Sequence, residues 1–190
     1  MAIERLVFLT GWRKTGKTSL LLNLIRQADC LSLDLAGVVS PGRFIDHIET
    51  GKFVWDLRSR EKFLLASAVP GELLGMQLGL WTFDEDVLAW GNACFTAIEY
   101  CDVLLVDEIG PLELERKMGW MAALDALERV TARTAIVVIR PECLETMTAR
   151  FPEAIHLELT GTSDRGRLLR ELLGYSAGNC ADLPASDLDD

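Results

Sequence analysis

The sequence lacks the residue patterns that would place it in several large classes of protein. Its 190 residues contain only two histidines, His47 and His156, and five cysteines, none of which form a C-x-x-C pair. We therefore do not expect a histidine-rich metal site or a zinc site, and the odd number of cysteines fits free thiols in a reducing compartment. No apolar run reaches the ~18 residues of a membrane span, and no signal peptide is recognisable, so we expect a cytoplasmic protein.

Positive charge is also scarce. Lysine and arginine number 19 against 29 aspartates and glutamates, which gives a net charge of −10. Proteins that bind nucleic acid or anionic lipid present a basic surface, so we expect neither DNA nor a membrane as a partner. A polyanionic ligand would have to be bound by a local group of basic residues.

Short apolar runs alternate with segments of helical periodicity along most of the chain. This alternation predicts a largely parallel sheet with helices on both faces. The predicted strands are residues 3–9, 35–40, 103–106, 135–139 and 155–159. The predicted helices are residues 16–27, 85–99 with Asp84 as N-cap, 119–130, 142–150 and 164–173.

The remaining segments have weaker patterns. Residues 44–57 predict an antiparallel hairpin with its turn at residues 49–52, and residues 78–83 predict a further strand. Residues 58–72 are not assigned. The acidic segment 177–190 is expected to be a disordered tail, so our interpretation is one domain over residues 1–176 with a hairpin insertion at about 43–58.

A phosphate-binding motif lies between the first predicted strand and the first predicted helix. Residues 11–18 read G-W-R-K-T-G-K-T and match G-x-x-x-x-G-K-[ST]. In such a loop the backbone amides bind phosphate, Lys17 contacts the β- and γ-phosphates and assists catalysis, and the Thr18 hydroxyl binds Mg²⁺. The predicted nucleotide-binding residues are Gly11, Trp12, Arg13, Lys14, Thr15, Gly16, Lys17, Thr18 and Ser19.

An acidic pair follows the apolar strand at 103–106. Asp107 lies at the carboxyl end of a predicted parallel strand, where ligands bind in such sheets, so we expect it to hold Mg²⁺ together with Thr18. Glu108 directly follows, and a second carboxylate there can deprotonate an attacking water. The pair therefore favours hydrolysis of a nucleoside triphosphate over transfer of the phosphoryl group to a bulky acceptor.

Together these motifs resemble the thermophilic-type nucleoside-triphosphatase family. The resemblance rests on T-G-W-R-K-T-G-K-T at 10–18 and V-D-E-I-G-P-L-E-L at 106–114, with Gly119-Trp120 and G-x-x-x-W-D-L-R at 51–58 in support. It implies a RecA-like P-loop fold, which is a three-layer α/β/α arrangement. It also implies slow, magnesium-dependent hydrolysis of several nucleoside triphosphates, ATP and GTP among them.

Other residues and functions stay open at this point. Arg140, after the strand at 135–139, or Arg43, after Pro41-Gly42, could stabilise charge on the γ-phosphate. Trp12 or Trp81 could stack on a base, whereas Glu113 and Glu115 are expected to face solvent. The alternative functions are a small-molecule kinase, whose basic lid could only be residues 58–62, and a nucleotide-dependent switch that uses the hairpin as a partner surface. The sequence does not identify a protein partner, a preferred base or an oligomeric state.

Overall fold

A computed structural model describes residues 2–161 and 165–173, in which ten strands and six helices are found. The strands are β1 (Ile3–Thr10), β2 (Leu35–Val39), β3 (Gly42–Ile45), β4 (Ile48–Asp56), β5 (Lys62–Ser67), β6 (Met76–Leu78), β7 (Trp81–Phe83), β8 (Tyr100–Ile109), β9 (Thr131–Ile139) and β10 (Ile155–Glu158). The helices are α1 (Lys17–Cys30), α2 (Glu85–Thr96), α3 (Pro111–Leu114), α4 (Met121–Arg129), α5 (Leu144–Arg150) and α6 (Arg165–Leu173).

The strands form one sheet with the order β10-β1-β9-β8-β2-β4-β5-β7-β6, and β3 pairs with β4. The half from β10 to β2 is parallel, and the half beyond β2 is antiparallel. The predicted parallel sheet is therefore present, and its antiparallel part is larger than the single hairpin that we expected. Because β9 lies between β1 and β8, the carboxyl ends of these three strands meet at one edge of the sheet.

The parallel strands are apolar throughout because both of their faces are covered. Along β1, Phe8 packs on the face that carries α2, α4 and α5, whereas Val7 and Leu9 pack on the face that carries α1 and α6. Along β8, Leu104 and Leu105 alternate in the same way. Strands with continuous apolar sequence are expected when a sheet is buried between two helical layers, and the structure has these three layers.

The predicted hairpin is present, but its turn lies elsewhere. We expected the turn at residues 49–52, which instead lie inside β4. The chain reverses at Asp46 and His47, whose φ angles are 49° and 63°. Two consecutive residues with positive φ form the tight turn that matches the twist of a hairpin. The turn was missed because neither residue is a glycine.

Other segments also differ from the expectation. The single strand predicted at residues 78–83 is wrong: residues 76–78 and 81–83 form two short antiparallel strands, β6 and β7, because the chain turns at Gly79, whose φ is 63°. Part of the unassigned segment 58–72 forms β5. Asp84 caps α2 as predicted and accepts hydrogen bonds from the amides of Asp86 and Val87.

No helix among the described residues is long and apolar enough to cross a bilayer. The expected tail at 177–190 lies outside these residues, and the assignment of residues 1–176 to one domain stays a prediction.

Candidate active site

The predicted phosphate-binding loop, residues 11–16, connects β1 to α1. A Cβ atom at Gly11 would lie 2.6 Å from the carbonyl oxygen of Leu159, and the φ angle of 151° also favours glycine. Gly16 adopts a left-handed conformation directly before α1 and has no side chain to cap the first turn. The backbone amides at the start of α1 can therefore face an anionic ligand.

Lys17 is half-buried and lies across this loop. Its Nζ donates hydrogen bonds to the carbonyl oxygens of Gly11 at 2.7 Å and Trp12 at 3.0 Å. Burial lowers the pKa of Lys17, while the carboxylates of Glu108 and Asp107 act in the opposite direction. The ammonium group therefore lies within electrostatic reach of the acidic end of β8. Four residues of the predicted set are exposed: Trp12, Arg13, Lys14 and Ser19.

Asp107 is the buried carboxylate of the site, with 3% of its surface exposed. Its Oδ2 accepts hydrogen bonds from Thr18 Oγ1 at 3.1 Å and from the Ser40 amide at 3.3 Å. The Ser40 hydroxyl also donates to the backbone carbonyl of Asp107 at 2.8 Å. Burial, assisted by the charge of Glu108, raises the pKa of Asp107 to about 6. A buried carboxylate of this kind is one whose ionised form a cation would stabilise.

Glu108 forms an ion pair with Arg140. The Nε of Arg140 lies 2.6 Å from Oε1 of Glu108, and about a third of each side chain is exposed, 31% and 32% respectively. The sheet order explains why Arg140 contacts Glu108, because Arg140 follows β9 and β9 is paired with β8. Gly110 leaves room for the guanidinium, since a Cβ there would lie 3.1 Å from Cδ of Arg140.

Two further predicted residues have no described contact with this group. Arg43, in β3, binds Glu72 with both terminal nitrogens, at 2.8 and 2.6 Å, and its other described hydrogen bonds go to Thr50 and Ser67. Trp81 lies in β7, and five strands separate β7 from β1 in the sheet. The sheet order therefore does not bring Trp81 to the phosphate-binding loop.

Two polar residues of this region were missed or misassigned. Ser40 binds Asp107, and the signal that could have identified it is a polar residue at the end of a strand parallel to β8. Glu113 was expected to face solvent but is buried, where it accepts hydrogen bonds from the amides of Gly110 at 2.9 Å and Trp120 at 3.0 Å. Its spacing of three residues from Gly110 is that of a capping box. Glu115 is exposed, as expected.

Comparisons with known proteins agree with this arrangement. A family model described as NTPase matches residues 6–173. The fold is similar to the solution structure of a human cancer-related nucleoside triphosphatase, at 19% identity over 90% of this chain and 96% of that chain, with a TM-score of 0.68. It is also similar to the crystal structure of THEP1 from the hyperthermophile Aquifex aeolicus, at 17% identity over 89% of this chain and 97% of that one, with a TM-score of 0.64. These likenesses confirm the predicted fold class. No curated protein matches the chain significantly in sequence.

Proposed function

Because the chain belongs to the NTPase family, we propose that it hydrolyses several nucleoside triphosphates, ATP and GTP among them, to the diphosphate and phosphate with Mg²⁺. One observation carries the proposal: the Thr18 hydroxyl at the start of α1 binds the buried carboxylate of Asp107 at the end of β8. This contact joins the start of α1, directly after the loop, to the acidic pair, and it supports a role for Glu108 at the γ-phosphate.

The loop residues bind the triphosphate. The amides of residues 11–16 and of the first turn of α1 donate to phosphate oxygens, and Ser19 follows Thr18 in that turn. Lys17 exchanges the carbonyl oxygens of Gly11 and Trp12 for the β- and γ-phosphates. Arg13 and Lys14 are exposed within the loop and add local positive charge to an acidic protein. Trp12, with 74% of its surface exposed, is available to stack on a base.

Thr18 at the start of α1 and Asp107 near the end of β8 fit a magnesium ion. Mg²⁺ prefers oxygen ligands and binds through one or two protein groups together with phosphates and water. Thr18 and Asp107 supply a hydroxyl and a carboxylate, and the raised pKa of Asp107 indicates a buried charge that lacks full compensation. When bound, Mg²⁺ would neutralise charge on the β- and γ-phosphates.

Glu108 activates the attacking water. Its carboxylate accepts a proton from the water, whose oxygen forms a bond to the γ-phosphorus. At the same time the bond breaks between that phosphorus and the oxygen bridging it to the β-phosphate. The products are the nucleoside diphosphate and phosphate. Lys17 and Arg140 are two cationic groups that can stabilise the developing negative charge.

A small-molecule kinase is less well supported, because residues 58–62 do not lie near the loop. Arg58 binds Asp34, which precedes β2, and Arg60 binds Asp29 near the end of α1. Both contacts are at the amino edge of the parallel strands, whereas the phosphate-binding loop is at the carboxyl edge. The only candidate for a basic lid is therefore on the opposite edge of the sheet.

Phosphate release from the purified protein tests the proposal. ATP, GTP, CTP and UTP are each supplied with and without Mg²⁺ to the wild type and to Lys17→Ala and Glu108→Gln. Glu128→Gln is the matched control, because Glu128 also pairs with an arginine at 2.6 Å but on the surface of α4. We expect magnesium-dependent release that is lost in the two site variants and kept in the control. Equal release by wild type and Glu108→Gln would refute the role of Glu108.

A further inference from the structure

The ion pair between Arg140 and Glu108 occupies the carboxylate that the proposed reaction needs. Oε1 of Glu108 accepts a hydrogen bond from the Arg140 guanidinium at 2.6 Å. A hydrogen bond from a guanidinium to a carboxylate is charge-assisted and strong, so this oxygen is not open to an attacking water. In the arrangement that the structure shows, Glu108 is bound to Arg140 and must be released before it can contact water through this oxygen.

The side chain of Arg140 can leave this position while its backbone stays fixed. The Arg140 amide donates to the carbonyl of Ile109 at 3.1 Å, and the Arg140 carbonyl accepts from the amide of Cys143 at 2.8 Å. These bonds attach the backbone to the end of β8 and to the turn before α5. The side chain is not enclosed, since 31% of it is exposed.

A triphosphate would bring a competing anion to the same place. Arg140 follows β9, which is paired with both β1 and β8, so it lies at the sheet edge that carries the loop after β1 and the acidic pair. Lys17 is the residue that contacts the γ-phosphate in loops of this sequence. A guanidinium binds phosphate as readily as carboxylate, through two parallel hydrogen bonds. The γ-phosphate and Glu108 are thus alternative partners for one cation.

We propose that Arg140 exchanges Glu108 for the γ-phosphate when a triphosphate binds, and that this exchange releases Glu108 to activate water. A nucleoside diphosphate lacks the γ-phosphate, so with it the ion pair stays closed. Arg140 would then be a sensor of the terminal phosphate and a positioning residue for Glu108. This inference rests on the proposed function, because it concerns the same site and the same reaction.

A double-mutant cycle in binding tests the exchange without requiring any turnover. Affinities for Mg²⁺ with a non-hydrolysable ATP analogue, and separately with ADP, are measured by calorimetry. The proteins are the wild type, Arg140→Ala, Glu108→Gln and the double variant. Arg140→Lys is added because it keeps the charge and loses the planar donor pair. The control cycle uses Arg150→Ala and Glu128→Gln, whose pair has the same separation of 2.6 Å outside the site.

If Arg140 exchanges partners, Glu108→Gln frees the guanidinium in advance and tightens binding of the analogue. We expect this gain to be about tenfold larger with Arg140 present than in the Arg140→Ala background. Arg140→Ala should weaken analogue binding and leave ADP binding within about twofold, with Arg140→Lys between the two. The control cycle should show no coupling for either nucleotide.

If the ion pair between Arg140 and Glu108 stays intact when the triphosphate analogue binds, the opposite result is expected. The guanidinium would then screen Glu108 in both states, so Glu108→Gln would tighten analogue binding no more with Arg140 than without it. That outcome, or an equal loss of ADP and analogue affinity in Arg140→Ala, would overturn the exchange. Failure of the proposed function would show separately, as an absence of phosphate release from the wild type.

Discussion

At the scale of single residues, the site depends on how Asp107 is held. Burial of this carboxylate raises its pKa to about 6, and the hydrogen bonds from Ser40 and Thr18 oppose that shift. The two bonds from Ser40 go to different atoms of Asp107, one to the carboxylate and one to the backbone carbonyl. Ser40 therefore fixes both the backbone and the side chain of the residue that we expect to bind Mg²⁺.

Ser40→Ala tests this positioning role. The substitution removes the hydroxyl bond to the Asp107 carbonyl, which contributes about 1 kcal/mol, and leaves the amide in place. We expect the concentration of Mg²⁺ needed for half-maximal phosphate release to rise about fivefold, because a hydrogen bond of this size corresponds to such a factor. The measurement is a magnesium titration at saturating ATP.

Thr96→Ala is the control for this titration, since it removes a hydroxyl bond to Asn92 on the exposed side of α2. The control should titrate like the wild type. An unchanged magnesium requirement in Ser40→Ala would show that its hydroxyl does not help to position Asp107.

Single residues were predictable where the signal is local. The loop residues and Asp107 stand in short motifs whose chemistry fixes their order, so their placement beside each other could be anticipated. The bond from Ser40 to Asp107 joins residues 67 positions apart, and the pair of Arg140 with Glu108 joins residues 32 apart. Such partners depend on strand order, which no local pattern contains.

At the scale of elements, the turn that directly follows β8 is held in a fixed conformation by a buried carboxylate. Glu113 binds the amides of Gly110 and Trp120 and so closes residues 110–120 into a fixed loop. A Cβ at Gly119 would lie 1.9 Å from Oε1 of Glu113, and the φ angle there is 73°. The motif at 106–114 therefore combines residues that face the site with a buried carboxylate that holds the turn together.

Two glycine substitutions distinguish the residues that hold the turn together from those that act on the site. Gly119→Ala forces a left-handed conformation and displaces Glu113, so we expect a loss of about 2–4 kcal/mol in the free energy of unfolding. Gly110→Ala should cost less than about 1 kcal/mol, because its backbone is extended and the atoms it meets belong to the flexible side chain of Arg140. Displacing Arg140 should nevertheless lower turnover by about fivefold.

Denaturant unfolding and phosphate release, each measured on both glycine variants, test these two predictions. The expected pattern is a stable but slower Gly110→Ala protein and a destabilised Gly119→Ala protein. A Gly110→Ala protein with wild-type turnover would contradict the close approach of Arg140.

The turn of the β3–β4 hairpin gives a second prediction at this scale. His47 is exposed and has a φ angle of 63°, which is unfavourable for a residue with a Cβ atom. His47→Gly should raise the free energy of unfolding by about 0.5–1 kcal/mol, because Asp-Gly suits a two-residue turn of this kind.

Gly79→Ala is the reverse experiment. Its φ angle is 63° and a Cβ there meets nothing within 4 Å, so only backbone strain is added. We expect a loss of about 1 kcal/mol in the free energy of unfolding. Thermal or urea unfolding measures both variants, and a destabilised His47→Gly protein would show that the histidine makes a contact that outweighs the strain.

Element types were easier to predict than the positions of turns. The parallel strands and most helices follow from continuous apolar runs and from helical periodicity, as in β1, β8 and α1. The turn at Asp46-His47 was missed because neither residue is a glycine, and the turn at Gly79 was missed because residues 78–83 were predicted to form one strand. The strands on either side of these turns end where their pairing with neighbouring strands ends, and the residue types in the turns do not indicate that position.

At the scale of the whole molecule, the strand order assembles the site. Because β9 lies between β1 and β8, the phosphate-binding loop, the acidic pair and Arg140 all reach one edge. The apolar strands predicted a sheet with helices on both faces, whereas the RecA-like order followed only from the resemblance to a known family. The five-strand extension beyond β2 was only partly anticipated, since β5 and the β6–β7 turn have no distinct pattern in the sequence.

The central claim is that Glu108 activates water for attack on the γ-phosphate. A single turnover of Mg²⁺ and ATP in heavy-oxygen water, followed by mass spectrometry of the released phosphate, tests it most directly. We expect phosphate with one heavy oxygen and a rate that falls by about 100-fold or more in Glu108→Gln, while that variant still binds ATP and Glu128→Gln reacts like the wild type. Wild-type release by Glu108→Gln, or phosphate without the heavy oxygen, would contradict the claim.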